Sequence, residues 1–430
     1  MILLEHAHIL PMTGREDEIK DGFVVVDGSH ITYVGDKRPE GVFDEVIDCT
    51  HKVLMPALTN THSHIPMTLL RGHGDELPLE QWLETRIYPA EDRLNDEVTY
   101  WGTLLGISEM LACGTGSYTD MYFFNDAIVR ASIESGIKAN VAKCLVCFDP
   151  EGKDDGGRYD EALDLYHRYH GAEDGGIRID MAFHAIYTTN PNYLRNTMQK
   201  MGDLDAIVQY HMSETTTEHQ GAKDKYGMTP AEIFAQCGVM NKPGVAAHFV
   251  QAEESDMQLL ASKGIYVATC PSSNLKLGSG IPDIRKMMQQ GVQVTIGTDG
   301  AASNNNLNMW EEMHLTAMLN KGYFRDPTAV GAYDVLHMAT VNGAASQGRR
   351  DCGTIQVGSR ADLILVDFDK PHLMPAPSVV SNLVYSAQAS DVCMTMVDGK
   401  ILYRNGEYTT IDMERVKFEA QKAAQYLTNY

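Results

Sequence analysis

The sequence predicts an α/β protein: a TIM-like (β/α)8 barrel with a small composite β-sandwich formed by the N- and C-terminal segments. Two observations lead to this prediction. The middle of the chain alternates eight apolar, strand-like runs with stretches of helical spacing, which is typical of βαβ units and a parallel sheet. Both ends contain short strand-like runs separated by Gly and Asp, and neither end is long enough to form a good core alone. Eight repeated units favour a closed barrel over an open sheet.

The two ends predict the sandwich. The first 55 residues contain FVVVDG and HITYVGD, which are apolar or alternating runs between turn residues. Residues from about 365 contain ADLILVDFD and VCMTMVDGKILYRNGEY, and the last stretch, MERVKFEAQKAAQYLTNY, has the spacing of a terminal helix. We therefore predict that residues 1–55 and 365–430 form the composite sandwich with its terminal helix, and that residues 56–364 form the barrel.

The eight candidate barrel strands are, in chain order, VLMPALTNTHSH, GSYTDMYF, KANVAKCLVCF, IRIDMAF, AIVQYHMS, GVAAHF, YVATCPSS and VQVTIGTDG. Helical stretches such as NDEVTYWGTLLGISEMLACG lie between them. The CxxC formed by Cys144 and Cys147 falls inside the third run, and no second pair follows, so a buried strand is favoured over a redox or zinc site.

Composition excludes several classes of partner. The 430 residues include 35 Lys and Arg against 58 Asp and Glu, a formal net charge of -23 that disfavours nucleic acids and anionic membranes.

The N-terminus lacks the basic region of a signal peptide, and no run approaches the roughly 18 apolar residues of a membrane helix. The eight Cys are scattered, which predicts a reduced, cytoplasmic protein. A homo-oligomer is also expected, although the 23 Met are more typical of core than of interface.

Polar side chains with metal-binding or catalytic potential recur where the predicted strands end, and in such barrels chemistry gathers at the carboxyl ends of the strands. A lone HxH, or an Asp before Gly, is usually incidental. If these residues merely formed unrelated turns, however, three or more His and an Asp would not be expected at the same end of successive strands. The residues in question are His62, His64, His184, His211, Glu214, His248 and Asp299.

This set suits a metal centre. Because residues two apart in a strand share a face, His62 and His64 can point together into the barrel mouth. With His211 and Asp299 they offer three imidazoles and a carboxylate, which suit Zn²⁺, with Fe²⁺ as the alternative. That set leaves room for a water whose pKa the metal lowers. Glu214, three residues beyond His211, is close enough to move protons without binding the metal, so the pattern indicates a metal-dependent hydrolase.

Along nearly its whole length the chain resembles the amidohydrolase superfamily and, within it, the 5'-methylthioadenosine/S-adenosylhomocysteine deaminase family. The resemblance rests on PALTNTHSHIPMTLLRG, LPLEQWLETRIYPAEDRL, DDGGR, HMSET, CPSSNLKLGSGI and GTDGAASNNNLNMWEEM. It implies the same barrel with a composite sandwich. It also implies that His62, His64, His211 and Asp299 bind the metal, whereas His248 contacts the attacking water rather than the metal.

The resemblance also implies the number of ions and the substrate contacts. Binuclear members carry a bridging Lys at the end of strand 4; here that strand ends in His184, which implies one divalent ion. His184 and Glu91 match residues that contact the nucleoside, with Glu91 expected on the ribose hydroxyls. Arg158 of DDGGR matches an arginine near the 5' end of the substrate. Lys143 stands where the family has a second arginine, and Lys is a flexible point charge rather than a planar fork.

The implied reaction is the hydrolytic deamination of a small-molecule adenosine-type nucleoside to the inosine analogue and ammonia, by metal-activated water attacking C6. The substrate would be 5'-methylthioadenosine, S-adenosylhomocysteine, 5'-deoxyadenosine or adenosine. Asp299 is expected to accept a proton from the water, Glu214 to protonate N1, and His248 to hold the attacking oxygen. Glu214 and Asp299 would therefore also contact the substrate.

Three alternative functions agree less well with the sequence. A guanine, cytosine or s-triazine hydrolase would share the metal site, but the Glu91 motif suits a ribose. A non-catalytic protein on the same scaffold would be expected to lack ligands, whereas here the set is complete. A dinucleotide-dependent oxidoreductase is excluded because Gly114 and Gly116 begin a GxG pattern that lacks its third glycine.

Overall fold

A computed structural model describes residues 1–77 and 79–428 and contains two sheets, one parallel with eight strands and one mixed with nine. This architecture confirms the predicted fold class. The strands are β1 Ile2–Ile9, β2 Ile19–Asp27, β3 His30–Gly35, β4 Glu45–Asp48, β5 Lys52–Pro56, β6 Leu58–Ser63, β7 Thr115–Tyr122, β8 Lys138–Leu145, β9 Ile177–Phe183, β10 Val208–Met212, β11 Gly244–His248, β12 Tyr266–Thr269, β13 Gln293–Ile296, β14 Leu363–Asp367, β15 Val392–Val397, β16 Lys400–Arg404 and β17 Glu407–Tyr408.

Sixteen α-helices accompany these strands in the part of the chain that the structure describes. They are α1 Leu79–Trp82, α2 Tyr88–Glu91, α3 Asp96–Ala112, α4 Asn125–Ser135, α5 Arg158–Tyr169, α6 Pro191–Met201, α7 Thr216–Tyr226, α8 Pro230–Gln236, α9 Glu254–Lys263, α10 Pro271–Lys276, α11 Ile284–Gln289, α12 Met309–Phe324, α13 Ala332–His337, α14 Gly343–Ser346, α15 Val379–Tyr385 and α16 Met413–Thr428. Short 3₁₀ turns lie at Ile65–Leu70, Val239–Asn241, Pro371–Leu373 and Ala389–Asp391, and wider π-turns at Leu83–Ile87 and Met338–Asn342.

Local chemistry explains where elements begin. In α8, Pro230 occupies the first turn, where its missing N–H costs nothing, while the side chains and backbones of Thr229 and Glu232 cap each other. Every residue of β7 is buried, as expected for a parallel strand covered on both faces. The terminal helix predicted from the sequence is α16, and its last two predicted residues, 429–430, lie outside the described residues.

The mixed sheet joins the two ends of the chain. Its strand order is β17-β16-β15-β14-β5-β1-β2-β3, with β4 beside β1, so the two segments meet where β14 pairs antiparallel with β5. Its core includes Leu4, Val24, Leu54, Leu365 and Met396, all buried. The domain boundaries given above stay a prediction.

The predicted first barrel strand, VLMPALTNTHSH, is divided between the two sheets. Its first half is β5 of the mixed sheet, and its second half is β6 of the barrel. The chain changes partners at the junction: the Ala57 N–H donates to Asp362 O, and the Leu58 N–H donates to Gly114 O, each at 2.9 Å. A continuous apolar run does not reveal such a change, because both halves are buried.

The amino end of the barrel is filled by a buried polar network. The Arg349 guanidinium donates to the carbonyl oxygens of Ala139 at 3.2 Å and Gly176 at 2.7 Å. Lys138, at the start of β8, pairs with Asp362, just before β14, at 2.6 Å and with Asp398, just after β15, at 2.8 Å. This network fastens the barrel to the mixed sheet and leaves the opposite, carboxyl end of the strands free for chemistry.

The first and last barrel strands close the parallel sheet through specific hydrogen bonds. The Asp299 N–H donates to His62 O at 3.0 Å, and the Thr61 hydroxyl donates to Ile296 O at 2.9 Å. Gly297 makes this approach possible: a Cβ there would lie 2.8 Å from His62 Cβ and 2.9 Å from its backbone N and O. Closure therefore depends on the absence of a side chain at position 297.

All eight cysteines carry free thiols, and Cys144 and Cys147 are buried, as the sequence predicted. Cys144 lies in β8 and Cys147 lies just beyond its end. Among the described helices, none is both long enough and apolar enough to cross a membrane.

The contact at Gly297 predicts that Gly297→Ala lowers the free energy of unfolding by about 1–3 kcal/mol, because a methyl group forced into a packed backbone contact strains both strands. Gly322→Ala is the matched control: it lies within α12, where a Cβ would meet no atom within 4 Å, and Ala favours helix. Chemical denaturation of the two variants checks this. Equal stability of both would show that closure tolerates a side chain at 297.

Candidate metal centre and active site

Five side chains from the carboxyl ends of the barrel strands converge on one point. His62 lies in β6, His211 in β10 and His248 in β11, while His64 follows β6 and Asp299 follows β13. The ligand atoms of His62, His64 and His211 lie within 4.8 Å of one another, as do those of His62, His248 and Asp299. The four ligands predicted from the sequence are therefore brought together, with His248 beside them.

The spacing of these atoms fits a divalent metal ion. Asp299 Oδ1 lies 3.2 Å from His64 Nε2 and 3.5 Å from His62 Nε2, and His64 Nε2 lies 3.3 Å from His211 Nε2. Atoms that bind a zinc ion tetrahedrally at about 2.0–2.1 Å are about 3.3 Å apart. His62 Nε2 is buried and has no hydrogen-bond partner, which is costly unless a cation accepts its lone pair.

Backbone carbonyls set the orientation of two imidazoles. His64 Nδ1 donates to Met121 O at 2.6 Å, and His211 Nδ1 donates to His184 O at 2.7 Å. A carbonyl can only accept, so the proton sits on Nδ1 and the Nε2 lone pair faces the cluster, as a metal ligand requires. Burial lowers the pKa of His62 to about 4 and that of His211 well below its ordinary value, so both rings are neutral.

Asp299 is held as an anion at the centre of the cluster. Its Oδ2 accepts hydrogen bonds from the hydroxyls of Ser273 at 2.6 Å and Ser303 at 2.8 Å, which leaves Oδ1 facing the imidazoles. Burial alone would raise its pKa, but the facing imidazoles of His62 and His64 outweigh burial and hold the pKa well below its ordinary value. Burial likewise opposes protonation of His64, yet Asp299 raises the pKa of that imidazole to about 9. The carboxylate therefore favours a positive charge beside it, which either a proton on His64 Nε2 or, in its place, a bound divalent metal ion supplies.

The backbone turns sharply where functional residues leave their strands. Ser213, His248 and Asp299 have φ angles of +50°, +72° and +63°, in the left-handed region that side-chain-bearing residues rarely adopt. Each such residue costs about 1–3 kcal/mol and persists only because the surrounding structure imposes the conformation. All three strained residues lie at strand ends, where the functional side chains converge on the cluster.

Glu214 lies beside the cluster, as predicted. It is buried, its Oε1 accepts a hydrogen bond from the Ser279 hydroxyl at 3.3 Å, and its Oε2 lies 3.9 Å from His248 Nε2. Burial raises the pKa of Glu214, which favours its protonated form. His248 Nδ1 is in turn 2.9 Å from Asn274 Oδ1, which aims Nε2 toward the cluster.

A cavity of about 970 Å³ opens from the cluster, within the size range of small-molecule sites. All the site residues predicted from the sequence line it except His62, which lies beneath its floor and is 2% exposed. The predicted residues that line it are His64, Glu91, Lys143, Arg158, His184, His211, Glu214, His248 and Asp299.

Glu91 and His184 also line this cavity, and the centroid of the His184 ring lies 4.8 Å from that of the His211 ring. Burial raises the pKa of Glu91 to about 7, although the nearby Tyr122 and His64 lower it in part. The Tyr122 hydroxyl is buried without a hydrogen bond of standard geometry. His184 Nδ1 lies 2.9 Å from the Thr188 hydroxyl, and burial lowers the pKa of His184 to about 3, so the ring is a neutral hydrogen-bonding group.

Lys143 and Arg158 lie on the wall formed by β8 and α5. Lys143, which stands where the family has an arginine, lines the cavity. Its side chain is 15% exposed and pairs with Glu161 of α5. The Arg158 guanidinium lies over the Phe123 ring, 5.7 Å from its centroid.

Several residues with evident roles were not identified individually from the sequence. Ser273, Asn274, Ser279 and Ser303 lie in the motifs CPSSNLKLGSGI and GTDGAASNNNLNMWEEM, so the motifs marked the region but not the contacts. Glu161 lies outside every such motif, and only its position three residues after Arg158 connects it with the site.

Comparison with known proteins supports the same chemistry. The profile of the amidohydrolase family matches residues 53–402. The 5-methylthioadenosine/S-adenosylhomocysteine deaminase of Dictyoglomus thermophilum is 44% identical over 394 residues, 92% of each chain. The crystal structure of an adenosine deaminase from Xanthomonas campestris with bound zinc superposes with a TM-score of 0.95 at 32% identity, covering 100% of this chain and 99% of that one. Atrazine chlorohydrolase from Arthrobacter aurescens, with zinc, superposes at 0.92 but is 22% identical, over 99% of this chain and 100% of that one, and shows the fold alone.

The geometry predicts that His62→Ala weakens metal binding by at least roughly 100-fold. Replacing even a residue that only hydrogen-bonds to such a ligand typically lowers metal affinity by about 10- to 100-fold, and His62 is itself a ligand in this assignment. Elemental analysis after dialysis against a weak chelator measures the metal bound per chain. His167→Ala, an exposed residue on α5, is the control and should retain the wild-type content. Full metal content in the His62 variant would contradict the assignment.

Proposed function

The chain belongs to the amidohydrolase family and, within it, to the 5-methylthioadenosine/S-adenosylhomocysteine deaminase family, and on that premise we propose that it deaminates adenosine-type nucleosides. The substrate would be 5'-methylthioadenosine, S-adenosylhomocysteine, 5'-deoxyadenosine or adenosine, and the products would be the inosine analogue and ammonia. One observation carries the proposal for this chain's own residues: Glu214 and the metal-binding cluster lie at one end of the same cavity, with Glu91 and His184 beside them.

We propose one divalent ion, Zn²⁺ rather than Fe²⁺, held by His62, His64, His211 and Asp299. Neutral imidazoles and a carboxylate at near-tetrahedral spacing support this choice. When bound, such an ion supplies Lewis acidity that lowers the pKa of water toward neutrality.

Asp299 and His248 act on the attacking water. The Asp299 carboxylate accepts a proton from the water, while Ser273 and Ser303 keep the carboxylate in place. His248, fixed through Nδ1 by Asn274, directs Nε2 toward the attacking oxygen and holds it over C6 of the purine.

Glu214 moves the proton that makes C6 reactive. Its raised pKa keeps the carboxyl protonated closer to neutral pH than an ordinary Glu, so it can donate to N1 of the ring. Protonation at N1 weakens the aromatic resistance to attack at C6. Glu214 then takes the remaining proton of the attacking oxygen, and the proton held by Asp299 passes to the amino group, which leaves as ammonia. One water is thus consumed and one ammonia is released.

Glu91 and His184 position the nucleoside. Glu91, with the Tyr122 hydroxyl near it, offers acceptors for the ribose hydroxyls. His184, neutral and tethered to Thr188, offers a hydrogen bond to the base or sugar. We further propose a cytoplasmic location, which the eight free thiols support, and a homo-oligomeric state.

Glu214→Gln is expected to lower kcat by about 10²- to 10⁴-fold while the metal content stays at the wild-type level, because Gln cannot supply the proton yet keeps the shape of the side chain. Steady-state ammonia release and elemental analysis measure the two quantities. Glu97→Gln, in the exposed first turn of α3, is the control. Wild-type turnover in the Glu214 variant would rule out its role.

A substrate panel tests the proposed reaction itself. Purified protein is incubated with 5'-methylthioadenosine, S-adenosylhomocysteine, 5'-deoxyadenosine, adenosine, guanine, cytosine and an amino-substituted s-triazine, and ammonia is measured. We expect release from adenosines and not from the free bases or the triazine. Release only from a base or triazine would overturn the substrate, and metal-loaded protein without release from any compound would favour a non-catalytic scaffold.

A further inference from the structure

The cavity wall formed by β8 and α5, with Asp126 of α4 beside it, carries balanced charge. Its cations are Lys143, Arg158 and Arg168, and its carboxylates are Asp126, Glu161 and Asp164. Arg168 is already paired with two carboxylates, because its guanidinium bonds both to Asp126 and, at 2.8 Å, to Asp164. This part of the wall therefore offers a ligand only Lys143, Arg158 and Glu161.

Lys143 and Glu161 differ in how deeply they lie. The Lys143 side chain is 15% exposed and projects from a barrel strand, whereas Glu161 is 61% exposed and reaches it from α5. Glu161 is thus the outer partner, and it neutralises the inner cation. Arg158 is the cation on this wall for which the described residues provide no ion pair; it lies over the Phe123 ring instead.

We propose that Glu161 is a specificity-determining residue that makes the enzyme favour nucleosides with neutral or zwitterionic 5' substituents over those with a net negative one. The inference rests on the proposed deaminase function. A neutral substituent leaves the Lys143–Glu161 pair intact. A zwitterion places its ammonium on Glu161 and its carboxylate on Lys143 and Arg158. A substituent bearing only a carboxylate meets the repulsion of Glu161 and has to compete with it for Lys143.

An exposed ion pair is often without consequence, so the pair itself proves nothing. What distinguishes a selective role is dependence on the charge of the substrate. If Glu161 merely stabilised α5, its replacement would change turnover of all substrates by the same factor.

The test compares three adenosines in wild type and in Glu161→Gln: 5'-methylthioadenosine, which is neutral; S-adenosylhomocysteine, which is zwitterionic; and its deamino analogue, which keeps only the carboxylate. In the variant we expect kcat/KM for the carboxylate analogue, relative to 5'-methylthioadenosine, to rise by about tenfold, mainly through KM, because Lys143 is freed. The preference for the zwitterion over the carboxylate analogue should fall. Adding Lys143→Gln to the variant should return the ratio toward the wild-type value.

Glu151→Gln is the matched control, since the Lys153–Glu151 pair is exposed on both sides and does not line the cavity. In this control variant, the ratios of kcat/KM among the three substrates should equal those of the wild type. Ratios unchanged within twofold in Glu161→Gln would overturn the inference and leave the deaminase function standing. A wild-type protein that releases ammonia from none of the three would overturn the proposed function and this inference with it.

Discussion

The hydrogen bond from the Asp299 N–H to the His62 carbonyl, 3.0 Å long, joins the last strand end of the barrel to the first. It also joins two candidate metal ligands, so closing the sheet and assembling the cluster are the same event. The contact requires Gly297, whose Cβ position is filled by His62. His64 and Asp299 then meet across the closed seam, and His211 and His248 complete the cluster from β10 and β11.

Neutral donors rather than cations hold most of the buried acids around this cluster. Glu312, fully buried, accepts hydrogen bonds from the Ser272 N–H at 3.1 Å and the Asn304 amide at 2.8 Å, and burial raises its pKa to about 7. Glu218 accepts the N–H of Glu214 at 2.8 Å and has a pKa raised to about 7, again by burial. A buried carboxyl without a cation tends to keep its proton. The interior near the cluster is therefore less negative than the net charge of -23 suggests.

Repetition and strand-end chemistry were enough to predict the barrel and the composite sheet, and to expect the candidate ligands at one end of the barrel, because period and residue type are visible in a linear sequence. Contacts that form only when the barrel closes could not be predicted from these patterns. The single run before His62 gave no sign of changing sheets at Ala57, since both halves are equally buried. The left-handed backbone at His248 has no signature in its residue type. Glu161 was missed because an acidic residue on an exposed helix face looks the same whether or not it reaches across to Lys143.

The pairing of β5 with β14 has a consequence for synthesis of the chain. Strand β5 ends at residue 56 and β14 begins at residue 363, so about 300 residues are made between them. At about 5–20 residues per second, translation takes roughly 15 to 60 s to cover that distance. During that interval β5 exposes on the ribosome an unpaired edge that β14 later covers. Pairing of β5 with β1 covers only its other edge, so the edge that awaits β14 is open throughout that interval to pairing with a neighbouring chain.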